Sequence, residues 1–200
     1  MRARVRVLLL VCGLCLAMNQ PAYAGSQAEE KLSDSVRVLL RQAVQAGLPN
    51  LRPFASREDE SRFYRWRDVM GQRLQRYIPA ALERETLLNA VDYEAHRAGL
   101  EPALVLGVME VESRFKPTAH SHAGAIGLMQ VMPFWAHSIG DGHVTRLYHA
   151  RVNIRYGSVI LRHYLDRENG DVVRALARYN GSLGQTTYAY SVLRASHKYK

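Results

Sequence analysis

Thiols are nearly missing from this chain: Cys12 and Cys15 are its only cysteines, and none follows them. A disulfide framework is therefore excluded beyond residue 15, and stability must come from a packed core. Runs of strict apolar–polar alternation are also missing, which argues against half-buried strands. Internal repeats and low-complexity linkers are absent. Between Ser113 and Gly140 there is no Asp or Glu at all. Any catalytic site built on that stretch has one acid, Glu112, at its edge and no second carboxylate from the same segment.

The apolar run Val7–Met18 is too short to cross a bilayer comfortably, since a span needs about 20 residues. It follows Arg2, Arg4 and Arg6 and precedes Ala22-Tyr23-Ala24, a small-x-small site, so residues 1–24 read as a cleaved export signal rather than a membrane anchor. Val11 and Leu14 precede the cysteines where a lipid-attachment cysteine would follow a small residue, so lipidation is not expected. The full chain carries +9, and residues 25–200 carry +6. A basic surface suits an anionic polymer: nucleic acid, acidic lipid or wall glycan. Export makes nucleic acid the poorest fit of the three.

What remains reads as almost wholly helical. Leu32, Val36, Leu39, Leu40, Ala43 and Val44 recur at helical spacing between Ala28 and Ala46. Gly47-Leu48-Pro49-Asn50 closes that helix. Ser56-Arg57-Glu58-Asp59 opens a second, running to about Tyr77. A third spans about Arg84–Ala98, with Leu87, Leu88, Val91, Tyr93 and Ala95 as core positions and Gly99 as its stop. A fourth starts at Glu101-Pro102 and runs to about Arg114, where Pro117 prevents continuation. Leu128–Ile139, Asn153–Leu165 and Val172–Ala177 read as further helices. The predicted organisation is an export signal over 1–24, an N-terminal helical extension over 25–85 and a main domain over 86–200.

Glu112 is the residue best placed for chemistry. Glu110 and Glu112 lie about 200° apart on a helix, so they cannot both face one cleft. Val108, Met109 and Val111 imply burial. Burial and the negative end of the helix dipole both push a carboxyl towards its neutral form, which a general acid requires. The competing reading is a surface Glu112 paired with Arg114 or Lys116. Gly124 and Gly127, with Ala123 and Ala125, permit close backbone approach to a ligand, although an ordinary tight turn would use them too. Gln130 lies between Met129 and Val131 and needs a polar partner if buried. Ser121 could hold a substrate hydroxyl or acetamido group, or merely cap a helix.

Glu112-Ser113, Ser121, Gly124-Ala125, Gly127-Leu128-Met129-Gln130 and Met132-Pro133, followed by Asn153-Ile154, Gly157 and Ala177-Arg178-Tyr179-Asn180-Gly181, resemble the soluble lytic transglycosylase motif. The resemblance covers about Leu87–Val192 and leaves Gly25–Ala81 unmatched. It implies a mainly α, lysozyme-like fold of the goose-type and soluble transglycosylase kind. It also implies non-hydrolytic cleavage of the β-1,4 bond between N-acetylmuramic acid and N-acetylglucosamine in peptidoglycan, leaving 1,6-anhydromuramoyl ends. Glu112 would then be the single catalytic acid/base. Ser121, Gln130, Met132, Tyr179 and Asn180 would contact substrate, with the Tyr179 hydroxyl within reach of Glu112 or the acetamido group. Without the resemblance, Tyr179 reads as a core aromatic. No cofactor or metal is implied. Peptidoglycan strands are the partner, a monomer acting in the periplasm or envelope is expected, and envelope or secretion-apparatus proteins stay open as partners. Gly181 follows Asn180 directly, where family members carry one more small residue, so sugar contacts from Ser182 to Thr187 do not carry over.

Two enzymatic readings survive in the sequence alone. Ordinary glycosidases need two carboxylates, and a goose-type lysozyme could recruit Asp141, Asp166 or Asp171 to place water. An intramolecular nucleophile held on the sugar removes that need. A non-catalytic glycan-binding or assembly protein is the third reading. Five histidines, His120, His122, His137, His143 and His149, cluster without regular zinc spacing. Asp141-Gly142 lacks the other acids of a calcium loop. Arg62, Arg65, Arg67, Arg73 and Arg76, interleaved with Phe63, Tyr64, Trp66 and Tyr77, resemble a nucleic-acid surface, but read better as a solvated helix face with aromatics in the core.

Overall fold

The computed structural model describes residues 27, 29, 31–47, 49 and 51–200; the export segment at 1–24 lies outside them. Among the described residues there are eight helices: α1 (Asp34–Gln45), α2 (Arg57–Leu74), α3 (Ala81–Arg97), α4 (Pro102–Ser113), α5 (Pro133–Ile139), α6 (Ala150–Arg167), α7 (Val172–Asn180) and α8 (Thr187–Ser196). Short 3-10 turns at Val144–Tyr148 and His197–Tyr199 complete the described chain. Among the described residues strand pairing is limited to the isolated bridges His120 to Ile126 and Ile126 to Val131.

Local chemistry sets the helix ends. The Ser33, Ser56 and Asp171 side chains accept from the backbone N–H groups of Val36, Asp59 and Arg174, capping α1, α2 and α7. Glu58, Asp59 and Glu60 load the first turn of α2 with acid, which suits the helix dipole. Pro102 opens α4. Arg114 and Phe115 end it with φ of 52° and 63°, so the chain turns sharply just past Glu112.

The core is built around α4, which is apolar on nearly every side: Val105, Leu106, Val108 and Met109 have no exposed surface. Gly107 lets α8 lie directly against it. A Cβ at that position would sit 2.8 Å from Ser196 Cβ and from the Val192 carbonyl oxygen. α6 packs between α3, α7 and α1. Inside that contact, Arg155 and Glu94 form a buried ion pair at 2.7 Å. The same guanidinium donates to the main-chain oxygens of Ala46 and Gly47, at the end of α1. The N-terminal segment is thus strapped to the helices behind the site. Trp135 Nε1–H donates to Gln27 Oε1 at 3.0 Å, and Arg52 forks between Asp59 and Asp92.

Several helix limits differ from the sequence reading. α1 starts at Asp34, and Leu39, expected in its core stripe, is 65% exposed; the buried stripe runs through Leu40 and Val44 instead. Tyr93 is half-buried. Leu128–Met132 is not helical. Val131 pairs with Ile126, Gln130 has φ 49°, and a residue before proline is disfavoured in the helical region, so α5 begins only at Pro133. α8 was not anticipated at all.

Candidate active site

Two segments meet at the C-terminal end of α4. The first is the loop 119–132. It folds back on itself through Ile126 and Val131, which exchange both backbone hydrogen bonds at 2.9 Å. Asn153, buried on α6, pins the loop from below: its side-chain carbonyl accepts from Met129 N–H at 2.8 Å, and its amide donates to the carbonyls of Ile126 and Leu147. Gly127 must be glycine here. Its φ is 78°, and a Cβ would lie 2.4 Å from Asn153 Nδ2. Ser113 Oγ lies 2.7 Å from the Leu128 carbonyl and 3.1 Å from that of Met109, tying the loop to α4 beside Glu112.

The second segment is the end of α7 with the start of α8. These deliver Tyr179 and Tyr188, both buried. The Tyr188 hydroxyl donates to Glu112 Oε1 at 2.6 Å. Glu112 is 5% exposed, and its Oε2 is shielded from water with no hydrogen-bond partner. Burial pushes its carboxyl up to about 8, against a smaller downward pull from the Tyr188 hydrogen bond. Glu112 is therefore predominantly protonated at neutral pH, as a group lent to general-acid work must be. Glu110, two residues back, points elsewhere. It accepts from Tyr77 and Tyr199 and pairs with Lys198, and those partners together bring it below its ordinary value although burial alone would raise it.

The structure gathers Ser121, Gln130, Met132, Tyr179 and Asn180 on these two segments, though not all in the roles expected of them. Ser121 Oγ accepts from Ala125 N–H at 3.0 Å and so braces the loop. Gln130 is buried and donates to the carbonyls of Ala119 and Gly127 at 3.2 and 2.9 Å, which stabilises the turn that its own positive φ requires. Met132 is half-buried at the entrance to α5. The Tyr179 hydroxyl donates to the Met129 carbonyl at 2.7 Å, and the hydroxyl that bonds Glu112 directly is that of Tyr188. Burial, with Glu112 close by, holds both tyrosines far above their ordinary value, so each is a donor and never a phenolate. Asn180 is buried at the C-terminal end of α7.

Tyr188 is the residue the sequence reading missed. Tyr188, Ala189, Val192 and Ala195 recur at helical spacing after Gly184, a signal sufficient to have placed α8 and its inward-facing tyrosine. The carboxylates considered as a second catalytic group have partners of their own. Asp141 pairs with Arg146 and accepts from His143 N–H, Asp166 pairs with Arg162, and Asp171 caps α7. Among the described residues no three His, Cys, Asp or Glu side chains converge as metal ligands would.

Comparison with known proteins places these features. The transglycosylase SLT domain family matches residues 89–198. A transglycosylase of Enterobacteria phage PRD1 is 45% identical over 89 residues, covering 44% of this chain and 32% of that protein. Membrane-bound lytic murein transglycosylase C of Actinobacillus pleuropneumoniae serotype 5b is 48% identical over 75 residues, covering 34% and 20%. The chain therefore spans a minor part of the length of these relatives. Among solved structures, an inactive mutant of lytic transglycosylase Slt from Pseudomonas aeruginosa superposes with a TM-score of 0.52 at 20% identity, over 88% of this chain and 38% of that one. That likeness is one of fold, and the helical architecture is lysozyme-like.

Proposed function

Since the chain belongs to the transglycosylase SLT domain family, we propose that it is a peptidoglycan lytic transglycosylase in which Glu112 is the single general acid/base. The observation that carries the reading is the buried Glu112 carboxyl: one oxygen is held by Tyr188, the other is unpartnered, and the whole group is pushed up to about 8.

In the proposed reaction, Glu112 gives its proton to the glycosidic oxygen as the C1–O bond of the muramoyl residue breaks. The muramoyl C6 hydroxyl then attacks C1, and Glu112 takes the proton that this oxygen loses. One C–O bond breaks and one forms, the proton returns to its owner, and no water is consumed. The substrate N-acetyl group assists at C1 in place of a protein nucleophile. Tyr188 holds Glu112 in orientation through both protonation states. The Ser121 hydroxyl and the edge of the 119–132 loop meet the sugars, with Met132, Gln130, Tyr179 and Asn180 shaping the groove.

A hydrolysing reading requires a second carboxylate to place water. Glu110 faces away from Glu112, and Asp141, Asp166 and Asp171 are held by the partners described above, which favours the non-hydrolytic route. The export signal read at 1–24 supports action in the periplasm or at the envelope. The test is a digest of purified peptidoglycan followed by mass spectrometry of the released muropeptides. Anhydromuramoyl ends are expected; reducing muramic-acid ends would instead make the protein a lysozyme.

A further inference from the structure

The arginine-rich helix α2 plays no part in the catalytic reading. At 100° per residue, Arg62, Arg65, Val69 and Arg73 fall within a sector of about 80°; Arg76 follows in the turn just past the helix, and all five are exposed. The helical part of the row is about 17 Å long at 1.5 Å per residue. Arg62 pairs with Glu58 and Asp59, and Asp68 borders the row as an exposed acid. Among the described residues, Arg65, Arg73 and Arg76 meet no Asp or Glu side chain. Arg76 stacks on the Tyr77 ring and donates to its hydroxyl. Arg73 donates to main-chain oxygens of Lys198 and Lys200, which brings the C-terminal turn and the exposed Lys200 to the same face.

The partner class follows from what the face omits. Phe54, Phe63, Tyr64 and Trp66 stack on one another within the protein, and Arg67 covers Phe63 and Tyr64. No ring projects from the row to stack on a nucleic-acid base. Val69 alone is a poor wedge for a bilayer, whose surface helices present a broad apolar face. What remains is a line of planar guanidinium forks, which suit carboxylates and phosphates alike; of the two, the polymer proposed above supplies carboxylates, on its stem peptides. The C-terminal turn beside this face meets α4 through Glu110, about 200° round the helix from Glu112. Glu110 points to the C-terminal turn and bonds Lys198, Tyr199 and Tyr77, while Glu112 points to Tyr188.

We infer that the outer face of α2, with the C-terminal turn, is a second and non-catalytic wall-binding surface that grips the stem-peptide carboxylates of peptidoglycan. This rests on the substrate class proposed above. Such a surface keeps the protein on the insoluble polymer between cleavage events without occupying the groove at Glu112.

The test is co-sedimentation of the Glu112→Gln protein with purified sacculi across a salt series. Adding Arg62→Gln, Arg65→Gln and Arg76→Gln is expected to weaken binding about tenfold at low salt, with the difference fading as salt screens the charges. Sacculi whose carboxyls have been converted to amides are expected to lose the same component. Three results overturn the inference: an equal loss from Lys31→Gln just before α1 with Arg37→Gln and Arg41→Gln on it, undiminished binding to amidated sacculi, or tighter binding to phosphatidylglycerol vesicles or DNA than to sacculi. With wild-type Glu112, the α2 triple variant is expected to cleave short soluble glycan fragments at the parent rate. If the parent cleaves nothing while arginine-dependent binding persists, the catalytic reading falls and the binding surface stands.

Discussion

Glu110 and Glu112 share a helix and a residue type, yet surroundings make them different acids. Glu110 has three partners that stabilise its charge, whereas Glu112 has one hydroxyl and an apolar wall. Because the folded protein holds the Glu112 proton up to about 8 while an ordinary carboxyl releases it near 4.5, this group's contribution to stability is full below pH 4.5 and is lost as pH rises through about 8. Glu112→Gln removes that dependence. The variant should melt higher than the parent by a margin that widens from pH 5 to pH 8, bounded by about 5 kcal/mol. The same variant should lower wall-cleaving activity by at least about 100-fold, measured by muropeptide release. Tyr188→Phe removes a hydrogen bond that favours the charged form, so the alkaline limb of the rate profile should move to higher pH and the rate should fall. A profile that stays in place would deny Tyr188 its positioning role. Glu112 was legible in the sequence because an acid at the end of an apolar helical run has few ways to stay solvated. Tyr188 is legible only through helix phase: it shares its residue type with Tyr190, which is 54% exposed, and is told apart by the inward spacing it keeps with Val192 and Ala195.

Elements explain why the site holds its shape. The loop 119–132 has little regular structure of its own and is fixed by side chains from helices on either side, Ser113 from α4 and Asn153 from α6. Asn153→Ala would orphan the buried Met129 N–H and take the side-chain donor from the Leu147 carbonyl, while the Ile126 carbonyl keeps Val131 N–H, so a loss of about 3 kcal/mol is expected in urea unfolding, with activity falling further than the folded fraction. Gly107→Ala would force α4 and α8 apart by a few tenths of an ångström. Since Tyr188 rides on α8, the cleavage rate should drop even at temperatures where the variant remains folded. The sequence reading placed α2, α3, α4 and α6 because each has a cap or breaker and an apolar period. It extended α5 backwards over Leu128–Met132 because that stretch is apolar enough for a helix. The physical obstacle was non-local: Val131 is paired to Ile126, and Gln130 is held at positive φ by carbonyls from Ala119 and Gly127.

At the scale of the molecule, the N-terminal segment and the helices behind the site act as one packed body. Arg155 joins Glu94 on α3 to the end of α1. Arg155→Ala would leave the buried Glu94 carboxylate with Arg97 as its remaining partner and release two carbonyls, and about 3 kcal/mol of destabilisation is expected, with loss of α1 packing visible as faster amide exchange between Asp34 and Gln45. Composition could not show this strap, since an Arg and a Glu 61 positions apart in sequence carry no mark of their meeting. The closed setting of Glu112 has a consequence of its own. A carboxylic acid kept dry and half-unpaired should absorb in the infrared as a protonated carbonyl at neutral pH, and should trade its hydrogen for deuterium only as fast as the α7–α8 connection, with Gly181 and Gly184 at positive φ, swings aside. The resting protein would then be a latched acid, and the arrival of a glycan strand would register as a sudden quickening of that isotope exchange.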